Sequence, residues 1–217
     1  MNDTKPASHL GIILLGAIVM ATAFAAGMWL SSTRHAGEAG GIDGLLWPDP
    51  PQLAGFHLVD QHGRPLEAAD LRGHWSLMFF GFTHCPDVCP TTLAALARAE
   101  DQLRKRPAYG ESGRVVFVSV DPERDTPEVI AEYVNYFSPD FIGATASESE
   151  LRALGRNLGV LFMKVEQADG GYSVDHSAGV FFVSPQLELL SVLTPPYTAA
   201  DIVRRFTAVS QFLEKQG

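Results

Sequence analysis

Apolar positions along the chain fall into three regimes. From Leu10 to Leu30 they run without a charged residue. From residue 31 to 52 the periodicity is lost and Gly, Ala and Pro take over. Beyond residue 52, short apolar runs alternate with stretches of helical spacing. Phe56 to Asp60 alternates as a short strand, Gln61-His62-Gly63-Arg64 reads as a turn, and Pro65-Leu66 returns, which predicts an N-terminal hairpin. Trp75 to Phe82 is a nearly continuous apolar run, as expected of a central strand covered on both faces. Leu93, Leu96, Ala97 and Leu103 then share one face of a predicted helix over Thr91–Lys105. Val115 to Val120 predicts a second buried strand. Thr126-Pro127-Glu128 has the form of an N-cap followed by proline at the first helical position. Val129, Ile130, Tyr133, Val134 and Phe137 mark the inner face of that helix.

The pattern continues with a short strand at Phe141–Ala144 and a helix marked by Leu151, Leu154 and Leu158. Leu161–Glu166 and Gly171–Val174 flank a hairpin turn at Ala168-Asp169-Gly170-Gly171. Gly179–Ser184 and Leu187–Leu193 form a second hairpin around Pro185-Gln186. Ile202, Phe206, Val209 and Leu213 line one face of a final helix. No repeats appear. The core order is strand, helix, strand, helix, strand, strand, helix, with insertions. With a cysteine pair between the first strand and first helix, this α/β order resembles a thioredoxin-like fold with an N-terminal hairpin.

The charge-free run Leu10–Leu30 is long enough to cross a hydrocarbon core of about 30 Å as a helix. Trp29 stands at one end, where an aromatic belt would place it. The alternative is a cleavable signal, with Ala-Phe-Ala-Ala-Gly offering small residues for cleavage; the length of the run favours an uncleaved anchor. The expected organisation is a short cytoplasmic N-terminus (1–9), a transmembrane helix (10–30), a flexible linker (31–52) and a soluble domain (53–217). The expected location is a bacterial inner membrane, with the domain in the periplasm.

Composition narrows the function classes. A net charge of −9 with no basic stretch argues against nucleic acid as a partner, because phosphates are neutralised by clustered Lys and Arg. A hydrophobic fraction of 46% supports a packed core. The chain holds two cysteines, Cys85 and Cys89, too few for a disulfide scaffold. A single close pair reads as catalytic, redox or metal-binding.

In an open α/β sheet, sites gather at the carboxyl ends of the parallel strands. The strand ending at Phe82 places Cys85 and Cys89 there, and the strand ending at Asp121 reaches the same edge. In the thioredoxin order, strand Gly179–Ser184 runs antiparallel to the first, so its beginning lies beside the cysteines. Just before it stands His176, in Val174-Asp175-His176-Ser177. Two thiolates and an imidazole form a soft donor set that suits Cu(I), Zn or, with a weaker fourth ligand, Cu(II). Structural zinc usually takes four protein ligands, which favours copper. A disulfide between the cysteines stays open as the alternative. Asp121 is a candidate for supporting the ligands from behind, against simple strand termination before Pro122. Asp87 is a candidate helix cap. His84 need not face the metal, because adjacent side chains diverge. His35, His57, His62 and His74 read as surface residues, and Met163, Phe79, Phe80 and Phe82 as core.

Three ordered motifs carry a family resemblance. They are Gly81-Phe82-Thr83-His84-Cys85-Pro86-Asp87-Val88-Cys89-Pro90, then Ser119-Val120-Asp121-Pro122-Glu123-Arg124-Asp125-Thr126-Pro127, then Val174-Asp175-His176-Ser177. Over roughly Leu53–Phe212 the chain resembles the Sco/SenC family of membrane-anchored copper proteins. The resemblance implies copper held by Cys85, Cys89 and His176, and a role in assembling the dinuclear copper centre of cytochrome c oxidase subunit II. A periplasmic copper donor would load the site. One reading is a chaperone that works by ligand exchange rather than turnover. The second is a thiol–disulfide oxidoreductase that reduces the target's cysteines through Cys85 and Cys89. Three residues between the cysteines, where dedicated oxidoreductases typically have two, favour the first. Asp175-His176, standing where thioredoxins carry a cis proline, argues against general thioredoxin activity. A thiol peroxidase needs a lone activated cysteine, and the pair gives no sign of one.

Overall fold

The computed structural model describes residues 49–53, 55–168 and 170–215, together with 19, 20, 22 and 24. The chain divides into two units, Met1–Gly41 and Ile42–Gly217. In the first, Val19, Met20, Thr22 and Phe24 are helical and exposed. The remainder of the predicted span, the leader before it and most of the predicted linker lie outside the described residues. Among the described residues no helix is long and apolar enough to cross a membrane.

The second unit is built on a seven-stranded sheet. In chain order its elements begin with β1 (His57–Asp60), β2 (Pro65–Glu67), α1 (Ala68–Leu71), β3 (Ser76–Gly81), α2 (Val88–Leu103), β4 (Arg114–Ser119) and α3 (Pro127–Phe137). They continue with β5 (Ile142–Thr145), α4 (Glu148–Leu158), β6 (Phe162–Glu166), β7 (Tyr172–His176), β8 (Val180–Val183), β9 (Leu189–Leu193) and α5 (Ala199–Glu214). The sheet order is β2-β1-β5-β4-β3-β8-β9. β3, β4 and β5 run parallel, and β8 runs antiparallel to β3. β6 and β7 pair only with each other, as a separate two-stranded sheet. All six residues of β3 and all four of β8 are buried. That is why their sequences read as continuous apolar runs: both faces are covered.

Local chemistry explains most element ends. The Thr126 hydroxyl accepts from the Val129 amide at the start of α3, with Pro127 at the first helical position. Thr198 and Asp201 form a reciprocal capping box on α5. Gly159 closes α4 in the left-handed conformation.

Four differences from the sequence reading have physical causes. α2 begins at Val88, not Thr91, so Cys89 lies in its first turn. Pro90 hides this start, although a first-turn proline gives up only an amide that has no helical partner. Val129 is exposed, and the buried stripe of α3 is Ile130 and Val134. β7 extends to His176, which is therefore the last residue of a strand rather than part of a connecting loop. The domain also starts before Leu53: the Leu189 amide donates to the Pro51 carbonyl, and Gln52 bridges Glu188.

At the end of the sheet away from the cysteines, Phe206 of α5 is fully buried. Its ring meets Trp75 edge-on at 5.1 Å and Tyr109 at 5.4 Å. Phe206→Leu should lower stability by about 1–2 kcal/mol through lost contacts. A urea melt should show a lower midpoint with an unchanged slope, and the thiol content should stay the same.

Candidate metal centre

The first parallel strand ends on Gly81, and the chain turns at once. The Cys85 amide donates to the Phe82 carbonyl at 3.2 Å, closing a turn that contains Thr83 and His84. The turn is anchored from below by Asp125, whose carboxylate is fully buried. Asp125 accepts from the Thr83 amide at 2.9 Å, the Thr83 hydroxyl at 2.6 Å and the Ser119 hydroxyl at 2.5 Å. Three donors compensate the burial of this charge and tie the turn to the end of β4.

After the turn α2 begins, with Asp87 at its N-cap position. Asp87 makes no side-chain capping bond. The Cys89 amide, one of the orphan donors of the first turn, donates instead to the Cys85 sulfur at 3.4 Å. Cys85 therefore sits where a helix N-terminus favours negative charge. Cys89 is completely buried and Cys85 nearly so. Gly81 makes room for this: a Cβ there would lie 2.7 Å from the Cys89 sulfur and 3.1 Å from both the Phe79 and Phe117 rings.

His176 arrives from the other side at the end of β7. Its Nε2 is 3.4 Å from the Cys89 sulfur, and its Nδ1 is 3.3 Å from the Ser177 carbonyl. A carbonyl only accepts, so Nδ1 is the donor in that contact and Nε2 is the ring atom that faces the sulfurs. Phe79 and Phe82 meet the imidazole edge-on, at 6.1 and 5.8 Å between ring centres. The ligand atoms of Cys85, Cys89 and His176 all lie within 4.8 Å of one another.

Both cysteines are free thiols, and they share their protons unequally. A hydrogen bond from the Cys89 S–H, opposed by burial and helped by the Asp87 and Cys89 amides, holds Cys85 well below the usual thiol range. A side-chain hydrogen bond with His176 lowers it further. The same thiol–thiol hydrogen bond, with burial, pushes Cys89 far up. The outcome is one thiolate near the surface and one protonated thiol beneath it. The Cys89 sulfur thus touches both other members of the set, the Cys85 sulfur and His176 Nε2. This pocket of two sulfurs and one imidazole nitrogen is a soft donor set suited to Cu(I) or Zn.

The other residues singled out in the sequence fall elsewhere. Asp121 is buried, but its carboxylate is taken up by Arg124 Nε at 2.5 Å and the Tyr172 hydroxyl at 2.8 Å, not by a ligand side chain. Arg124 also donates to the Tyr172 carbonyl at 3.0 Å and stacks 3.8 Å above the Tyr172 ring. Asp121 thus holds the β6–β7 hairpin that carries His176, and acts through it. The His84 side chain is half-exposed, with Nδ1 at 3.1 Å from the Thr83 hydroxyl. His57 and His62 are exposed, whereas His74 is half-buried with Nδ1 shielded from solvent. His35 lies outside the described residues. Met163 is exposed on the hairpin, not in the core, because β6 leaves the main sheet. Phe79, Phe80 and Phe82 are core residues, two of them also flanking His176. Asp125, Arg124, Tyr172 and Gly81 were visible only as motif neighbours; Asp125 and Arg124 follow Asp121 in one motif, yet nothing local reveals what they hold.

Comparison with known proteins places this geometry among relatives. A family model described as SCO1/SenC matches residues 49–211. "Protein SCO1 homolog 1, mitochondrial" of Arabidopsis thaliana is 41% identical over 135 residues, 62% of this chain and 40% of that protein's length. The chain therefore spans well under half of that relative. A "putative copper-binding protein" of Stutzerimonas stutzeri is 37% identical over 152 residues, 70% of this chain and 74% of the relative. The crystal structure of Arabidopsis thaliana ScoI with copper bound superposes with a TM-score of 0.68 at 34% identity, covering 74% of this chain and 99% of that one.

Two expectations test the site. A depressed Cys85 pKa means the nucleophilic thiolate persists as pH falls. Iodoacetamide should therefore modify Cys85 at nearly the same rate at pH 8 and pH 5.5, and leave Cys89 untouched in the native protein. A tenfold fall in rate per pH unit below 8, read by peptide mass mapping, would contradict the assignment. Gly81→Ala must displace the Cys89 sulfur or the rings around it. It should cost about 1–3 kcal/mol of stability and open Cys89 to alkylation under native conditions.

Proposed function

We propose, from the premise that the chain belongs to the SCO1/SenC family, that it carries copper as cargo and delivers it to a copper-site protein. Cys85, Cys89 and His176 hold the metal. The recipient is cytochrome c oxidase subunit II or a protein with a similar site, and a periplasmic donor loads the carrier. The observation that carries the reading is the convergence of two sulfurs and one imidazole nitrogen within 4.8 Å, from parts of the chain 87 residues apart. Copper bound to the plant structure and the description of the Stutzerimonas stutzeri relative as copper-binding support the choice of metal.

The geometry suits ligand exchange. Cys85 lies at the lip as a thiolate, where an incoming thiol reaches the cargo first. Cys89 lies beneath it and releases last. His176 contributes its Nε2, and the contact of its Nδ1 with the Ser177 carbonyl fixes the ring's orientation. The apolar run Leu10–Leu30 and the Gly- and Pro-rich stretch after it support an anchor and tether that keep the domain beside a bacterial inner membrane, on its periplasmic face.

A specific observation also favours a second activity at the same site, reduction of the recipient's cysteines. The exposed-side thiolate and buried protonated thiol are divided as attacking and resolving groups are. Cys85 would attack a target disulfide, forming a mixed disulfide and releasing one target thiolate. Cys89, losing its proton, would then attack the Cys85 sulfur. The Cys85–Cys89 disulfide forms and the second target thiolate leaves, so the target is reduced as this chain is oxidised.

Anaerobic titration of the reduced domain against a competing Cu(I) chelator separates the two. One copper per chain is expected. Cys85→Ser, Cys89→Ser and His176→Ala should each weaken binding by more than about 100-fold, beyond the usual effect of losing an outer partner. The oxidised protein should not compete at all, because thiolates are the donors. Parent-like copper affinity in His176→Ala, with disulfide exchange intact, would leave reduction as the primary role.

A further inference from the structure

β7 pairs with no strand of the main sheet, so the backbone ladder that positions the cysteine end of β3 does not position His176. Side chains on either side of it tie it to the core. On the hairpin side, Tyr172 is tied to Asp121 and Arg124. On the other side the chain leaves β7 through Ser177-Ala178-Gly179 and enters β8. There the Ala178 carbonyl accepts from the Tyr197 hydroxyl at 3.0 Å.

Tyr197 belongs to Thr194-Pro195-Pro196-Tyr197, the connection between β9 and α5. Its hydroxyl has a single hydrogen, which goes to Ala178. The Thr92 hydroxyl, also 3.0 Å from it, must therefore be the donor on that side. The relay runs in one direction: Thr92 O–H to Tyr197 O–H to the Ala178 carbonyl. Thr92 is buried and lies three residues after Cys89 on α2. Ala178 lies two residues after His176. The relay thus joins the two elements that bring Cys89 and His176 to their 3.4 Å contact.

We infer that Tyr197 is a positioning residue that sets the separation of Cys89 and His176, and through it how firmly the site holds its cargo. The cargo half of this statement rests on the copper reading above; the positioning half does not. Neither Tyr197 nor Thr92 offers an atom to the metal set. Their contribution is to hold two ligand-bearing segments that share no backbone ladder.

Tyr197→Phe removes the hydroxyl and keeps the ring. In the metal-free protein, the ring nitrogen NMR shifts of His176 report the Nε2–Cys89 contact. They should move in Tyr197→Phe and in Thr92→Val, and the double variant should add little to either single change, because each breaks the same relay. Phe206→Leu, which weakens the opposite end of the domain, should leave them in place. For the copper-loaded protein, Tyr197→Phe should still bind one Cu(I) but release it to a chelator roughly 10- to 100-fold faster. The absorption bands of its Cu(II) form should also shift. Unchanged His176 shifts in Tyr197→Phe would overturn the proposal, as would parent-like release with parent-like spectra. Shifts that move in a protein whose parent binds no copper would uphold the positioning role and remove the copper reading instead.

Discussion

The Cys89 sulfur occupies the space that a side chain at Gly81 would fill. That one close approach fixes how α2 meets the end of β3, and the rest of the centre follows from it. With Cys89 pressed against the strand, its amide points back across the turn to the Cys85 sulfur. The turn is then held at its other end by Asp125, which reaches from the chain just after β4 to the Thr83 amide and hydroxyl. Two adjacent parallel strands thus share one task. β3 delivers the cysteines, and the chain leaving β4 supplies the buried carboxylate that sets their loop. The same stretch supplies Asp121 and Arg124, which reach across to the hairpin bearing the imidazole. This is why the Ser119–Pro127 motif accompanies the cysteine motif although it contributes no ligand.

The electrostatics of the centre are those of two unequal thiols sharing one hydrogen bond. Cys85 is pushed toward the thiolate, and Cys89 keeps the proton that is directed at it. Burial alone would favour two neutral thiols. The Cys89 hydrogen bond, helped by His176 and the helix-start amides, decides the matter for Cys85, and burial reinforces the result for Cys89. Under the proposed function, copper takes the place of that proton, and all three donors then face the cation. On the His176 side the apolar rings of Phe79 and Phe82 pack edge-on against the imidazole.

What could be read from the sequence divides along physical lines. Strands buried on both faces announce themselves as apolar runs, so β3, β4 and β8 were legible within a residue or two. The cysteine pair was legible from its composition, and His176 only through topology, since a lone histidine 87 residues away carries no local signal. Illegible were features whose meaning is tertiary. Pro90 conceals the true start of α2 because a proline breaks helices except in the first turn. Met163 alternates like a core strand residue, yet β6 lies outside the sheet and leaves it exposed. Tyr197 follows two prolines in a connecting loop, where nothing distinguishes a hydroxyl that bridges two ligand-bearing segments from one that faces water.

The placement of His176 outside the main sheet also bears on how carrier and reductant roles can share a site. Both cysteines are fixed by elements of the core: Cys89 by β3 and α2, Cys85 by a turn bound to Asp125. The imidazole sits on a hairpin outside the main sheet, tied to the core by side chains at either end of β7 and flanked by Phe79 and Phe82. Reduction of a disulfide needs the two sulfurs alone, and these are the rigid part. Metal carriage needs the third donor, and this is the part held by a few hydrogen bonds that can loosen without disturbing the core. A recipient that displaced the hairpin would therefore weaken the hold on copper while leaving the thiol pair in place for exchange. Under the proposed function, the two activities would then differ in which segment moves.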